Sequence, residues 1–325
     1  MAFNALTSRS DVAALIPEDV SREILSDLAS TGWLLGLARR LPDLPRAQRR
    51  MPVLSTLPVA YFVDGDTGLK QTTEAAWANK YIDAEELAVI VPIPQSVLDD
   101  ADYDIWAEIR PLLVDAFNNK LAGAVLYGTD IPATWTTNLG AAGIRALAAA
   151  RTAVVSIAGF ADLYEAILGE SAAGAADGLL AVLEADGYQA TAHVGHISMR
   201  TRLRNCRDAD GNPVFHSLPA GQAARYQLDG ADVWFPADGV INSAQSLLIT
   251  GQWNQLVYAM RQDITYTIAT EGVIQDAAGN IVYNLFQRDM VALRAVMRIG
   301  FALPNPINYV QPTEASRCPF AVLVA

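Results

Sequence analysis

Lysine and cysteine are both scarce in this chain of 325 residues. Lysine occurs only at Lys70, Lys80 and Lys120, so nearly all of the 23 basic residues are arginines. The only cysteines are Cys206 and Cys318. Two cysteines exclude a disulfide framework and leave room for a single intrachain bridge. A reducing, cytosolic environment fits them at least as well as an oxidising one.

Charged residues are also few, at 18% of the chain, while 52% of the residues are hydrophobic. This composition excludes intrinsic disorder and suffices for one large or two modest domains. A chain with little charge and much apolar surface often buries part of that surface in partners. The net charge of −12 repels phosphate, so any general attraction to DNA would have to come from local basic clusters.

Targeting and membrane-spanning segments are missing from the sequence. The N-terminal residues lack the basic segment followed by an apolar one that marks a signal peptide. No uninterrupted apolar run reaches the roughly 20 residues that cross a membrane. We therefore expect a soluble protein that is made inside the cell and has no membrane partner.

Complete catalytic motifs are absent as well. No glycine-rich phosphate loop, G-x-S-x-G elbow or H-E-x-x-H sequence occurs. The carboxylate pairs at residues 85–86 and 99–100 are adjacent in sequence, and adjacent residues do not face each other on a helix. We predict no catalytic residues and no cofactor.

Two segments resemble parts of metal sites. His193 and His196, with Cys206 nearby, offer ligands for zinc, but a fourth ligand is not evident and a closed structural site usually needs four. Residues 208–212 resemble the start of a calcium loop, yet Pro219 stands where the bidentate glutamate is required. An ordinary Asp-Gly turn explains the second segment. We predict no metal site.

The first third of the chain predicts an arm, a helix and a long hairpin. Residues 1–16 have no strong period, and apolar spacing then predicts a helix from Pro17 to Arg40. Residues 43–82 form two extended runs around a Gly/Asp turn, which is typical of a β-hairpin. Because an isolated two-stranded hairpin is marginal in water, this hairpin must pack against something else.

A buried strand at residues 83–94 and a long helix up to Gly128 follow. We expect one face of this helix to be buried, with Pro111 kinking or dividing it. The apolar positions assigned to that face are Ile105, Ile109, Leu112, Ala116, Leu121 and Val125. From residue 140 onward, short helices and strands mix without regular βαβ alternation, so the fold class is α+β.

In this order, the segments resemble the major capsid proteins of tailed bacteriophages, which have the Hong Kong ninety-seven-type fold. The resemblance lies in residues 40–77, 84–117, 246–268 and 286–306. Within the last segment, Arg298, Gly300 and Phe301 match an arginine, glycine and aromatic pattern of the family. Each segment alone is unspecific, and their order and spacing carry the match.

The resemblance implies a division of the chain into five parts. These are an N-terminal arm and helix (1–42), an extended E-loop hairpin (43–82), a peripheral domain with a spine helix (83–139), an axial domain (140–284), and a return strand to the peripheral domain with a C-terminal tail (285–325). The arginines around the hairpin base are expected either to meet carboxylates of a neighbouring subunit or to form a solvated rim. They are Arg39, Arg40, Arg46, Arg49 and Arg50.

The implied function is a structural one. The chain would assemble with itself, as hexamers and pentamers, into the icosahedral shell of a virion that encloses double-stranded DNA without sequence-specific binding. Assembly would take place in the host bacterial cytoplasm, with portal and decoration proteins as further partners. Because the chain begins directly with the arm, we expect a separate scaffolding protein or none.

Three alternatives remain open at this stage. Some family members crosslink their subunits through a lysine on the hairpin, and Lys70 lies near the predicted tip. An encapsulin-like nanocompartment, which sequesters cargo proteins, would share the fold. An unrelated acidic α+β enzyme would be a monomer that forms no particles.

Overall fold

The computed structural model describes most of the chain from Gly32 to the C-terminus. The described residues are 32–63, 68–100, 105–140, 143–169, 177–207, 211–213, 215–217 and 226–325. The predicted arm and most of the predicted N-terminal helix lie outside these residues, as do the tip of the hairpin and residues 208–210 of the calcium-like segment.

Fifteen strands occur in the described residues. They are β1 (Arg39–Arg40), β2 (Gln48–Thr56), β3 (Ala76–Asp83), β4 (Glu85–Pro94), β5 (Val154–Ser156), β6 (Ala192–Gly195), β7 (His216–Ser217), β8 (Tyr226–Leu228), β9 (Ala231–Trp234), β10 (Leu248–Gly251), β11 (Val257–Ala269), β12 (Val273–Gln275), β13 (Ile281–Asn284), β14 (Met290–Ala302) and β15 (Phe320–Val324).

Eight α-helices accompany the strands in the same part of the chain. They are α1 (Trp33–Leu37), α2 (Gln95–Asp100), α3 (Ile105–Tyr127), α4 (Ala133–Leu139), α5 (Gly143–Ala150), α6 (Leu163–Leu168), α7 (Leu179–Ala185) and α8 (Met199–Asn205). Strands and helices do not alternate regularly, so the α+β prediction is confirmed.

A four-stranded sheet in the order β1-β11-β14-β4 forms one part of the molecule. The 13-residue strands β11 and β14 pair antiparallel along almost their whole length, and β4 pairs with β14 from Pro94 to Glu85. The predicted helix end at Arg39 and Arg40 is wrong: these two residues pair in parallel with Val257 and Tyr258 of β11. Strand β4, predicted as a buried strand, is only half-buried, because its residues alternate between exposed and partly buried positions along most of its length.

Helix α3 is the long helix that the sequence predicts, but its buried face differs in part. Leu121 and Val125 are buried as expected, whereas Leu112 is 65% exposed and Ala116 is also exposed. Leu113 and Phe117, one position further along, are buried instead. The helix runs through Pro111 without a division. Gly128 follows its last residue with a positive φ of 67°, a conformation that suits glycine at a helix end.

A seven-stranded sheet in the order β5-β15-β10-β6-β9-β8-β7 forms the other part. Apolar residues of α6, α7 and α8 cover one of its faces, together with Val155, Leu248 and Leu323. On the other face, Val194, Ile249 and Val322 belong to the cluster that also contains residues of α3, β11 and β14. One continuous hydrophobic core therefore joins the two sheets.

Sheet membership departs from the predicted boundaries at two strands. The segment 140–284 was expected to form one axial domain, yet β11 pairs with β14 in the four-stranded sheet. The C-terminal tail was grouped with the return strand as residues 285–325, and β15 within it pairs with β10 and β5 in the seven-stranded sheet. Both pairings join segments far apart in sequence, which local pattern does not reveal.

Candidate assembly surfaces

The base of the β2–β3 hairpin is fixed firmly to the four-stranded sheet. Ile82 is fully buried, and the indole nitrogen of Trp135 donates to the carbonyl oxygen of Asp83 at 2.9 Å. Gly300 of β14 lies directly beneath, where a Cβ atom would come within 2.5 Å of the same carbonyl oxygen. The close crossing of β3 over β14 therefore requires glycine at position 300.

The rest of the hairpin exposes large apolar side chains. Phe62 is completely exposed and Leu69 is 89% exposed, although both are residues that proteins usually bury. The exposed large apolar residues between 57 and 81 are Val59, Tyr61, Phe62, Val63, Leu69, Trp77 and Tyr81. We call this set the hairpin surface. Large apolar side chains exposed in such number on one hairpin indicate a site of interaction.

A second apolar surface surrounds the β12–β13 hairpin at the far end of β11 and β14. Its members are Ile268, Val273, Ile281, Val282 and Phe286, each more than 40% exposed. The turn between β12 and β13 is held by Asp276, whose carboxylate accepts hydrogen bonds from the backbone amides of Ala278 and Asn280. The apolar side chains of this surface thus lie on strands that an ordered turn connects and on the segments that flank them.

The arginines at the hairpin base are only partly free for a partner. Arg40 bonds Asp43 at 3.0 Å, and Arg49 donates to the carbonyl oxygens of Pro42 and Asp43 at 2.7 and 2.8 Å. Arg39, Arg46 and Arg50 are exposed. Of the five arginines, these three are therefore the candidates for contact with carboxylates of a neighbouring subunit.

Each of the three residues that match the family pattern contacts another element of the fold. The guanidinium of Arg298 bonds the Glu86 carboxylate across the β14–β4 pair at 2.6 and 3.0 Å. Gly300 permits the crossing of β3. Phe301 is buried and packs edge-on against Trp135, with ring centroids 5.4 Å apart. The motif thus joins β14 to β4, β3 and α4.

The two histidines considered for zinc lie in different environments. His193 on β6 is fully buried, and its ring nitrogens bond the Thr250 hydroxyl at 2.8 Å and the Leu228 carbonyl oxygen at 3.1 Å. Burial lowers the pKa of His193 to about 4. His196 bonds Ser198 instead. With both nitrogens of His193 engaged, its ring has no lone pair directed at a shared metal.

Both cysteines are buried free thiols. Burial raises the pKa of the Cys318 thiol to about 11 and also raises that of Cys206. Protonated thiols are poor nucleophiles and poor metal ligands. Among the described residues, no group of three or more His, Cys, Asp and Glu side chains is arranged to hold a metal ion.

The other charged residues singled out in the sequence are spread over the surface. Lys70 is exposed on the hairpin. Glu85 accepts a hydrogen bond from the Thr134 hydroxyl at 2.7 Å, and Asp99 accepts one from the Gln95 amide at 2.9 Å. These carboxylates hold local structure and do not converge on one cavity.

Sequence reasoning missed Arg317. It is the largest charged side chain in the core, at 1% exposure, and its guanidinium lies inside the loop between β14 and β15. A single arginine between Ser316 and Cys318 carries no periodic signal, so nothing in the sequence distinguishes it from a solvated residue.

A two-sheet α+β subunit with a projecting apolar hairpin is the architecture of a shell protein of tailed phages. The phage capsid family model matches residues 12–311, and the chain therefore belongs to that family. A curated relative, the major capsid protein of Staphylococcus phage 80alpha, is 25% identical over 299 residues, covering 90% of this chain and 83% of the relative.

Solved structures agree with this assignment. A chain from Microbacterium phage Oxtober96 superposes with a TM-score of 0.73 at 27% identity, covering 90% of both chains. One from Mycobacterium phage Bobi gives a TM-score of 0.71 at 28% identity, covering 98% of both. The protein is a structural capsid protein of the phage virion. These relatives favour that role over the encapsulin alternative. None of the described helices has the length and apolarity needed to cross a membrane.

Proposed function

We propose that this chain assembles with itself, as hexamers and pentamers, into an icosahedral shell around double-stranded phage DNA. The observation that carries the proposal is the hairpin surface, which a single subunit leaves in water. Burying it on a neighbouring subunit would remove a large apolar area from solvent, at roughly 25 cal/mol per Å². The β12–β13 surface offers a second contact of the same chemistry.

In this proposal, the four-stranded sheet with α3 is the peripheral domain, and the seven-stranded sheet with its helices is the axial domain. The hairpin would lie across an adjacent subunit, with Arg39, Arg46 and Arg50 near that subunit's carboxylates. Supporting this division, Ile82 at the hairpin base packs against Val257, Ala259 and Ala302 of the four-stranded sheet, and the apolar residues beyond this base are exposed.

The proposed role is association alone, without catalysis or a cofactor. The net charge of −12 suits a wall that encloses nucleic acid without adhering to it. Assembly would occur in the host bacterial cytoplasm, where free thiols such as those of Cys206 and Cys318 persist. Portal and decoration proteins, and a scaffolding protein where one is needed, would complete the particle.

The test is expression of the full chain, followed by electron microscopy. We expect closed particles from the chain alone or with a scaffolding protein. Deleting residues 60–72 should leave a folded subunit that assembles poorly, because the anchored base at Ile82 and Asp83 is retained. Normal particles from the deletion variant would refute the role given to the hairpin, and a monomer that never forms particles would refute the shell proposal.

Nuclease treatment of particles from infected cells tests the DNA part. We expect double-stranded DNA inside them that the nuclease does not digest and that the shell protein does not select by sequence. Particles that contain only cargo protein would contradict it.

A further inference from the structure

The loop between β14 and β15, residues 303–319, contacts both strands of the hairpin beyond the anchor at Ile82 and Asp83. The Lys80 ammonium on β3 bonds the Glu314 carboxylate at 2.5 Å, and the backbone amide of Ile307 donates to the Leu54 carbonyl oxygen of β2 at 3.3 Å. Both hairpin strands are therefore supported at a second place, apart from the anchor at Ile82 and Asp83. A hairpin held at two separate places along its length is held at a defined angle.

The interior of this loop is organised by Arg317. Its guanidinium donates to the side-chain and backbone oxygens of Asn305 at 3.2 and 2.8 Å, and to the carbonyl oxygens of Gln311 and Pro312 at 2.8 and 3.2 Å. All four acceptors are uncharged. Burying a guanidinium in this way is costly, and the five-donor fork fixes the loop conformation in return.

The far side of the loop is bonded to the turn between α7 and β6. The Tyr188 hydroxyl donates to the Asn305 side chain at 2.5 Å, and the Asn308 amide donates to the Asp186 carbonyl oxygen at 2.7 Å. The Asp186 carboxylate in turn accepts from the backbone amide of Cys318 at 2.8 Å. The loop is thus tied to the seven-stranded part of the molecule.

We infer that loop 303–319 is a prop that sets the angle of the hairpin relative to the seven-stranded sheet, with Arg317 as its positioning residue. The inference rests on the proposed assembly role of the hairpin and deepens it. Because the hairpin lies across a neighbour in that proposal, its angle fixes the tilt between adjacent subunits and hence the curvature of the shell. The Lys80–Glu314 ion pair is a side-chain contact between this loop and the hairpin.

The ion pair can be tested by reversing its charges. The two side chains are 23% and 49% exposed, so simple neutralisation would cost little. Lys80→Glu places two carboxylates where the ion pair was, and Glu314→Lys places two ammonium groups there. The double variant K80E/E314K restores the attraction. Lys70→Glu is the matched control, since it makes the same charge change on the same hairpin away from the loop.

The first readout is the distance between spin labels at Glu74→Cys on the hairpin and Glu184→Cys on α7, in full-length subunits below the assembly concentration. We expect a narrow distance distribution in the labelled parent chain and in K70E. It should broaden in K80E and in E314K, and narrow again in K80E/E314K. Distributions that stay narrow in both single variants would overturn the inference.

The second readout is particle geometry by electron microscopy. We expect the single variants to form particles of mixed diameter and the double variant to return to the parental diameter. Arg317→Lys, which keeps the charge but loses the fork, should also broaden the diameters. If R317K fails to fold, the variants K80E, E314K and K80E/E314K still test the inference. Parental particles in every single variant would leave the shell function intact and refute the prop.

Discussion

Truncating Phe62 tests the shell role most directly. The side chain is completely exposed on the hairpin surface, so Phe62→Ala removes apolar area that the isolated subunit never buries. Substitutions at such positions change the free energy of unfolding by less than about 0.5 kcal/mol. A stability loss therefore cannot explain an assembly defect in this variant.

The expected size of the defect follows from area. Burying a large apolar side chain at an interface stabilises by about 1.5–3 kcal/mol. Each subunit contributes one hairpin to the shell, so a loss of about 2 kcal/mol per subunit raises the critical assembly concentration by a factor of about 30. Phe62→Leu keeps most of the apolar area and should raise it only a few-fold.

The assay is light scattering of purified subunits over a concentration series, with thermal unfolding of each variant as the stability control. Electron microscopy would verify that the scattering species are closed particles. If F62A assembles at the same concentration as the parent chain and gives the same particles, the hairpin surface is not buried by a neighbour and the reasoning fails.

Three further outcomes are expected. Gly300→Ala should lower the free energy of unfolding by about 1–3 kcal/mol because the new methyl group meets the Asp83 carbonyl oxygen. Both changes are measured by denaturant titration, and the control Gly36→Ala, with open space around it in helix α1, should leave the free energy of unfolding unchanged or raise it by up to about 1 kcal/mol. The folded-state pKa of His193 lies near 4, below its ordinary 6.5, so the unfolded chain binds the proton more tightly. The subunit should lose about 3 kcal/mol as pH falls from about 6.5 to about 4, and a flat profile with an imidazole that titrates near 6.5 by NMR would contradict this. Purified particles should give a single monomer band near 35 kDa on a denaturing gel, and a ladder of bands abolished by Lys70→Arg would instead establish crosslinking.

Local signals predicted the elements that depend on neighbours in sequence. The two extended runs on either side of the Gly/Asp turn form β2 and β3. These strands pair antiparallel from Gln48 opposite Asp83 to Thr56 opposite Ala76. The long helix ends before Gly128 as predicted, because the positive φ there favours glycine. The apolar run before residue 302 is strand β14. Each of these features depends on turn chemistry and period within about 20 residues.

Long-range pairing was the part that sequence reasoning could not supply. Nothing within residues 257–269 tells which sheet will accept them, and the same holds for the last strand, β15. The buried face of α3 failed for a related reason. The helix is apolar on more than one side, so Leu112 and Leu113 compete equally by periodicity, and the packing of β11 and β14 against the helix decides between them.

The distribution of exposed apolar side chains explains the unusual composition of the chain. Twelve of the nineteen large apolar residues that are exposed in the described part of the structure lie on the hairpin surface or the β12–β13 surface. Apolar residues scattered singly over a surface need no explanation, but clusters on two projecting hairpins do. Under the proposed assembly, both hairpins would gain a core when a neighbouring subunit covers them. On that proposal, the low charge and high apolar content serve the assembled shell, and a strictly monomeric relative with this fold should carry polar residues at the positions of Phe62, Leu69 and Phe286.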